Sequence, residues 1–264
     1  MDKKKIILIS VTIFLFIVVI FLSYLLLNKF ILKKNFEQDI LPFAKKNENT
    51  IFSIKKILLF SSADAKWKNS SASNFTIENL YQYTDMAIFI SNSSSEKNLE
   101  NTFKKVSINN INISSPLLGE PKLYFKSINN FAKSDIIEDN QITDHLDFNI
   151  SSQDEADLST PTLYNNLANP ITLSYINQNI KSDYTITDTT SPITYDGSLL
   201  KKCSILLNSL TCNISFDIYI TNNKDEEFKC SIYLDIPLEI QGKSIYDGNI
   251  TYTKDTNFIF YRYK

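Results

Sequence analysis

The sequence predicts an all-β protein, an antiparallel β-sandwich tethered by one N-terminal transmembrane helix. Three observations predict it. The run from Ile6 to Leu27 carries no charge. NISFDIYIT and FKCSIYLDI alternate apolar and polar residues, and shorter stretches of strand character recur through the rest of the 264 residues.

The helix is the strongest signal. At 1.5 Å per residue, about 22 helical residues span about 33 Å, enough for a hydrocarbon core. The run exceeds the h-region of a cleaved secretory signal, and SYLLLNKF offers no small-x-small cleavage site. Residues 1–5 are therefore expected as a cytoplasmic tail and 6–28 as the membrane span. Lys3, Lys4 and Lys5 precede it, and Lys29, Lys33 and Lys34 follow it. This near-symmetry leaves the positive-inside rule almost silent. The short N-terminal tail and the Ser/Thr/Asn-rich remainder favour an internal N-terminus and an extracytoplasmic domain at the plasma membrane. A hydrophobic helix followed by a sheet domain is also the outline of type IV pilins. No peptidase-type Gly precedes the apolar run, however, and no Glu lies just inside it.

Residues 29–50 read as a stalk or linker helix, since Phe36, Ile40 and Phe43 recur at helical spacing. Pro42 predicts a break or a new start there. From residue 51 to 264 the period becomes 2. In NISFDIYIT, Ile214, Phe216, Ile218 and Ile220 share one face. NNKDEE then supplies turn residues. In the following strand Phe228, Cys230, Ile232, Leu234 and Ile236 keep the same phase, as in a hairpin with one buried face. Pro237 marks an edge or an end. MAIFI, KKVSINNINI, KLYFK, ITDHLDFNI, PITLSYI, DYTIT, IYDGNITYT and NFIFYRY extend the theme, with a bulge expected at Asn109–Asn110. SSADAKWKNSSASN reads as a polar loop carrying Trp67, either as an exposed platform or folded onto the sandwich rim. The sandwich is expected to be jelly-roll or immunoglobulin-like. The polar stretch 151–160 is a possible subdivision, and ITYDGSL and SIYDGNI are two similar Asp-Gly turns. ITNNKDEEFKCSIYLDIPL resembles the turn region of many cell-surface immunoglobulin-like modules.

There are three cysteines, Cys203, Cys212 and Cys230, and one histidine, His145. A turn between Leu207 and Asn208 would set Cys203 opposite Cys212, making these two the disulfide candidate in an oxidising compartment. The alternatives are Cys203–Cys230 and three free thiols. SLTC also resembles the Thr-Leu-x-Thr-Cys end of a sortase strand. That resemblance implies Cys212 as nucleophile, His145 as its partner and a nearby arginine. The only arginine, Arg262, lies fifty residues on, and ITDHLDF does not match the family's histidine region. The strand phase of His145 opposes Leu146 and Phe148, which predicts a surface position.

The remaining chemistry is excluded by composition. A net charge of -2 gives no basic footprint for nucleic acid. Four scattered glycines cannot build a phosphate-cradling loop. Three cysteines without Cys-x-x-Cys spacing predict no metal site, and no cofactor is expected. Asp135, Glu138, Asp139, Asp144 and Asp147 lack EF-hand spacing and read as a solvated acidic loop. The expected partners are the bilayer, through residues 6–28, and an envelope protein or surface ligand. The expected role is a displayed structural, adhesive or binding module without enzymatic activity. The alternative is an accessory subunit of a membrane or secretion complex.

Overall fold

An unbroken 44-residue helix, α1 (Lys3–Lys46), opens the chain. The structure, a computed structural model, describes residues 3–46, 51–70, 75–92, 102–135, 138–153, 157–181, 183–187 and 193–263. Pro42 does not break α1, contrary to expectation; the helix continues to Lys46. Phe14–Asn35 is long and apolar enough to cross a membrane, and none of it is buried. Leu26, for example, is 69% exposed. α1 belongs to one unit, Met1–Glu48, and the strands to another, Asn49–Arg262.

The strand unit begins with two long elements, β1 (Phe52–Ser70) and β2 (Phe75–Asn92). They pair antiparallel from Phe52↔Asn92 to Ser70↔Phe75. Next come β3 (Phe103–Ile113), β4 (Glu120–Phe125), β5 (Gln141–Ile142), β6 (Leu146–Ser151) and β7 (Thr162–Tyr164). After them follow β8 (Ile171–Lys181), β9 (Tyr184–Ile186) and a short helix, α2 (Ser198–Lys202). The chain then forms β10 (Asn213–Asn222), β11 (Glu227–Asp235), β12 (Glu239–Ile240), β13 (Lys243–Ser244), β14 (Ile250–Ile259) and β15 (Tyr261–Arg262).

Two sheets result. The first runs β14-β1-β2-β8-β4-β5, with β9 also paired to β2; the second runs β15-β11-β10-β3-β6-β7. All pairs within them are antiparallel except β6 with β7. Alternate side chains from both sheets meet in one hydrophobic core. Phe52 of β1 links the layers, with its ring 5.3 Å from Phe228 of β11 and 5.7 Å from Phe103 of β3. Aromatic pairs at such separations add to the transfer free energy of their burial.

The β10–β11 hairpin forms as the alternation predicts. Its register runs from Asn213↔Asp235 to Thr221↔Glu227. The Asn222 side-chain oxygen accepts from the N–H groups of Lys224 and Glu226, each at 3.0 Å, and this closes the turn. The β3 bulge is also present. Register shifts opposite Ser215 and Asp217, and Asn110 has φ 55°. Asp217 holds that bulge: its carboxylate accepts from Asn110 Nδ2 at 2.6 Å, Ser231 Oγ at 2.5 Å and Lys229 Nζ at 2.8 Å.

Three expectations need correction. SSADAKW is not a loop; it lies in β1, paired with β2 along its length and with β14 only at Ser61, and Ser61, Ser62, Ala63 and Ala65 are buried on both faces. Small residues can fill a centre strand where neighbours close over them, and this erases the apolar alternation. Trp67 packs at the rim, edge-on to Phe75 and Tyr195 at 5.7 and 5.5 Å. ITDHLDFNI is not one strand, because β5 lies in the first sheet and β6 in the second. The stretch 151–160 does not separate two modules, since β7 beyond it pairs with β6 before it.

The two Asp-Gly turns pack on each other. A Cβ on Gly197 would lie 2.1 Å from the carbonyl oxygens of both Gly248 and Ile245. Backbone cannot retreat as a flexible side-chain tip can. Gly197→Ala is expected to destabilise the fold by about 3 kcal/mol, read as a lowered urea midpoint at unchanged slope. An unchanged midpoint would show that the contact is not tight.

Burial pushes the Asp217 carboxyl up, but the hydrogen bonds from Lys229, Ser231 and Asn110, with the Lys229 charge, outweigh it and hold the pKa below the ordinary value. A depressed carboxyl contributes stability above its unfolded pKa and loses it as pH falls through the folded one. The stability gap between the wild type and Asp217→Asn is therefore expected to be full at neutral pH and to close below about pH 4. Equal pH profiles in denaturant titrations would contradict this.

Candidate functional site

The cysteine and histidine candidates do not come together. Cys212 sits just before β10, 2% exposed, and its thiol donates to the Ser114 carbonyl at 3.1 Å. His145 lies in the link between β5 and β6 with 59% of its side chain exposed, 3.7 Å from Asp144. A thiol enclosed in the core and an imidazole in solvent cannot share a proton.

The expected Cys203–Cys212 disulfide is not formed; all three cysteines are buried free thiols. Cys203 caps the C-terminal end of α2, and a 3₁₀ turn at Leu207–Ser209 follows. The segment is thus helical where a hairpin was expected, so Cys203 does not face Cys212 across a ladder. Burial pushes the Cys203 thiol up to about 11 and the Cys230 thiol up to about 12, the latter with help from the Asp217 charge. Thiols so placed are poor nucleophiles at neutral pH.

A different constellation lies on the outer face of the first sheet. Asp85 projects from the middle of β2 and Lys126 directly follows β4; β8 runs between these strands. Their side chains are 0% and 5% exposed, and Lys126 Nζ lies 2.9 Å from Asp85 Oδ2 and 3.0 Å from Oδ1. Ser174 Oγ donates to Oδ1 at 2.6 Å, and the Ala132 N–H donates to Oδ2 at 2.7 Å. Lys126 Nζ also donates to the Lys133 carbonyl. Lys126 itself is fixed at Thr172, whose hydroxyl donates to its carbonyl and whose carbonyl accepts its N–H at 3.3 Å. Burial drives the Asp85 pKa up, against the opposing pull of Lys126 and the hydrogen bonds.

Tyrosines wall this pair. The Tyr83 ring centre lies 5.0 Å from Nζ. Tyr83 joins Tyr124 and Ile176 in a second hydrophobic cluster, flanked by Phe60 and Tyr81. The segment after β4 folds over it: Tyr81 donates to the Ser134 carbonyl at 3.5 Å, and Tyr124 to Glu138 at 3.4 Å. Ala132 adopts φ 62°, a left-handed conformation that L-alanine disfavours. Its N–H bond to Asp85 helps to hold that turn. Sequence reasoning missed this pair because Asp85 and Lys126 lie 41 residues apart. Each also reads as the polar member of an alternating strand. The one local signal is an aspartate set directly against the apolar run MAIFI.

A groove of about 500 Å³ lies at the β14 edge. Leu59, Pro237, Leu238 and Tyr252 supply apolar surface, while Glu239 and Lys254 supply charge. β14 ends its sheet, and its groove-side residues Tyr252 and Lys254 are only half-buried. An inward-facing lysine on an edge strand opposes the addition of a further strand. The groove can seat a small molecule or a few residues of extended chain. It holds no nucleophile–base pair. Among the described residues, no three His, Cys, Asp or Glu side chains gather as metal ligands.

Comparisons of the chain with protein families, with curated proteins and with solved structures give no match.

The thiol environments make a direct expectation. In native protein at pH 8, none of the three cysteines is expected to react rapidly with a thiol reagent, and all three react after denaturation without reductant. Recovery of only one thiol in denaturant would reveal a disulfide.

Proposed function

We propose that this chain is a single-pass membrane protein that displays its β-sandwich outside the cytoplasm, in a structural, adhesive or ligand-binding role at the cell envelope. The observation that carries the reading is α1. Its stretch Phe14–Asn35 is long and apolar enough to cross a membrane, and none of it is buried. Apolar surface on every side of so long a helix is stable only in lipid or against a partner. Attachment to a sandwich with its own continuous core fits a tethered module.

The absence of an assembled Cys/His pair supports a display role over a thiol transpeptidase. The groove beside β14 is the surface offered to a ligand, and its mixed lining suits a contact that is partly apolar and partly charged. The orientation rests on the polar character of the strand unit.

Two fractionations test the reading. The full-length chain is expected to stay with membranes through alkaline carbonate, and external protease on intact cells should remove the sandwich. Release by carbonate would overturn the anchor. Retention with protease protection would overturn the orientation while leaving the anchor standing.

A further inference from the structure

The Asp85–Lys126 contact has chemical consequences beyond packing. Taking two opposite charges out of water is costly unless attraction and hydrogen bonds offset it. One proton moved across the 2.9 Å from Nζ to Oδ2 removes both charges. It also leaves an unprotonated amine against a carboxylic acid, 2.9 and 3.0 Å from its two oxygens and held in place on both sides. We infer that Lys126 and Asp85 condense into an amide, an intramolecular isopeptide bond that ties β2 to the end of β4 across β8.

Every group needed is in place. Nζ gives its first proton to Oδ2, and its lone pair then bonds to Cγ. Charge develops on Oδ1, where the Ser174 hydroxyl donates at 2.6 Å. Oδ2 departs as the hydroxyl, with the Ala132 N–H at 2.7 Å from it. A second proton passes from Nζ to that hydroxyl, the C–O bond breaks and one water leaves. The ammonium and carboxylate thus become one amide and one water, and no oxidant or co-reactant enters. A cavity of about 10 Å³, lined by Lys126, Ser174, Tyr124 and Asn130, adjoins the pair. That is close to the least space that holds one water.

The product suits the site. The amide N–H keeps the Lys133 carbonyl as its acceptor, and the amide oxygen keeps Ser174 as its donor. Tyr83 and the overlying segment exclude the water that would favour hydrolysis. The fixed backbone of Lys126 at Thr172 spares the ordering entropy of the attack. The bond does not depend on the display reading, though a covalent tie across three strands would also suit a domain held at one end by lipid.

Mass spectrometry of the purified full-length protein, denatured before analysis, tests it. The wild type is expected to weigh one water less than its sequence. A tryptic digest should contain a branched peptide joining the Asp85 segment to the Lys126 segment. Lys126→Arg and Asp85→Ala should each show full sequence mass. A wild type of full mass would overturn the inference and leave an ordinary buried ion pair. So would a missing water with no branched peptide, or a water loss that persists in both variants. The wild-type measurement stands even if a variant does not fold.

Discussion

The pairing of β1 with β2 is the constraint on which the strand unit depends. It joins 19 residues to 18 and occupies the middle of the first sheet, with β14 on one flank and β8 on the other. Its inner face supplies Phe52, Ile57, Leu59, Leu80, Met86 and Ile88 to the core. The hairpin of the second sheet, β10–β11, is shorter, and β10 reaches β3 only through long-range pairing. Much of the fold is therefore non-local, and loop-closure entropy must be met before burial compensates for it. Dense apolar contact across two layers is what offsets that ordering.

The first sheet is buried on both faces along part of its width. Its inner face meets the second sheet. Its outer face, around Tyr83, Tyr124 and Ile176, is closed by the segment that follows β4. Closing a sheet face with a loop brings backbone polar groups out of water, and they need partners. Asp85 meets part of this need by accepting from Ala132, and Lys126 by donating to Lys133. The polar pair thus specifies how the loop lies, and the tyrosines seal it. Ser174 of β8, between the two strands, completes the network.

The apolar helix and the sandwich meet opposite solvent demands. The helix satisfies its backbone within one segment, so lipid tolerates it and no tertiary contact is required. The sandwich satisfies its backbone between segments distant in sequence, so it requires a core to hold them together. A 44-residue helix is about 66 Å long. That exceeds the roughly 30 Å of a bilayer core.

Composition and periodicity alone determined the apolar helix, the all-β class, the β10–β11 hairpin and the bulge at Asn109–Asn110. Each is a local property, written in spacing of 2 or in an uncharged run, and needs no knowledge of neighbours. The tertiary structure decided the rest. β1 continues as a strand through Ser61 and Ala63, which show no alternation of their own, because β2 pairs with it there. Cys203 stands clear of Cys212 because the intervening chain turns as helix, where the spacing had suggested a hairpin. The Asp85–Lys126 pair arises because β8 inserts between β2 and β4, bringing together residues 41 positions apart. Sequence records which side of a strand is buried, whereas strand order across a sheet follows from packing between distant segments.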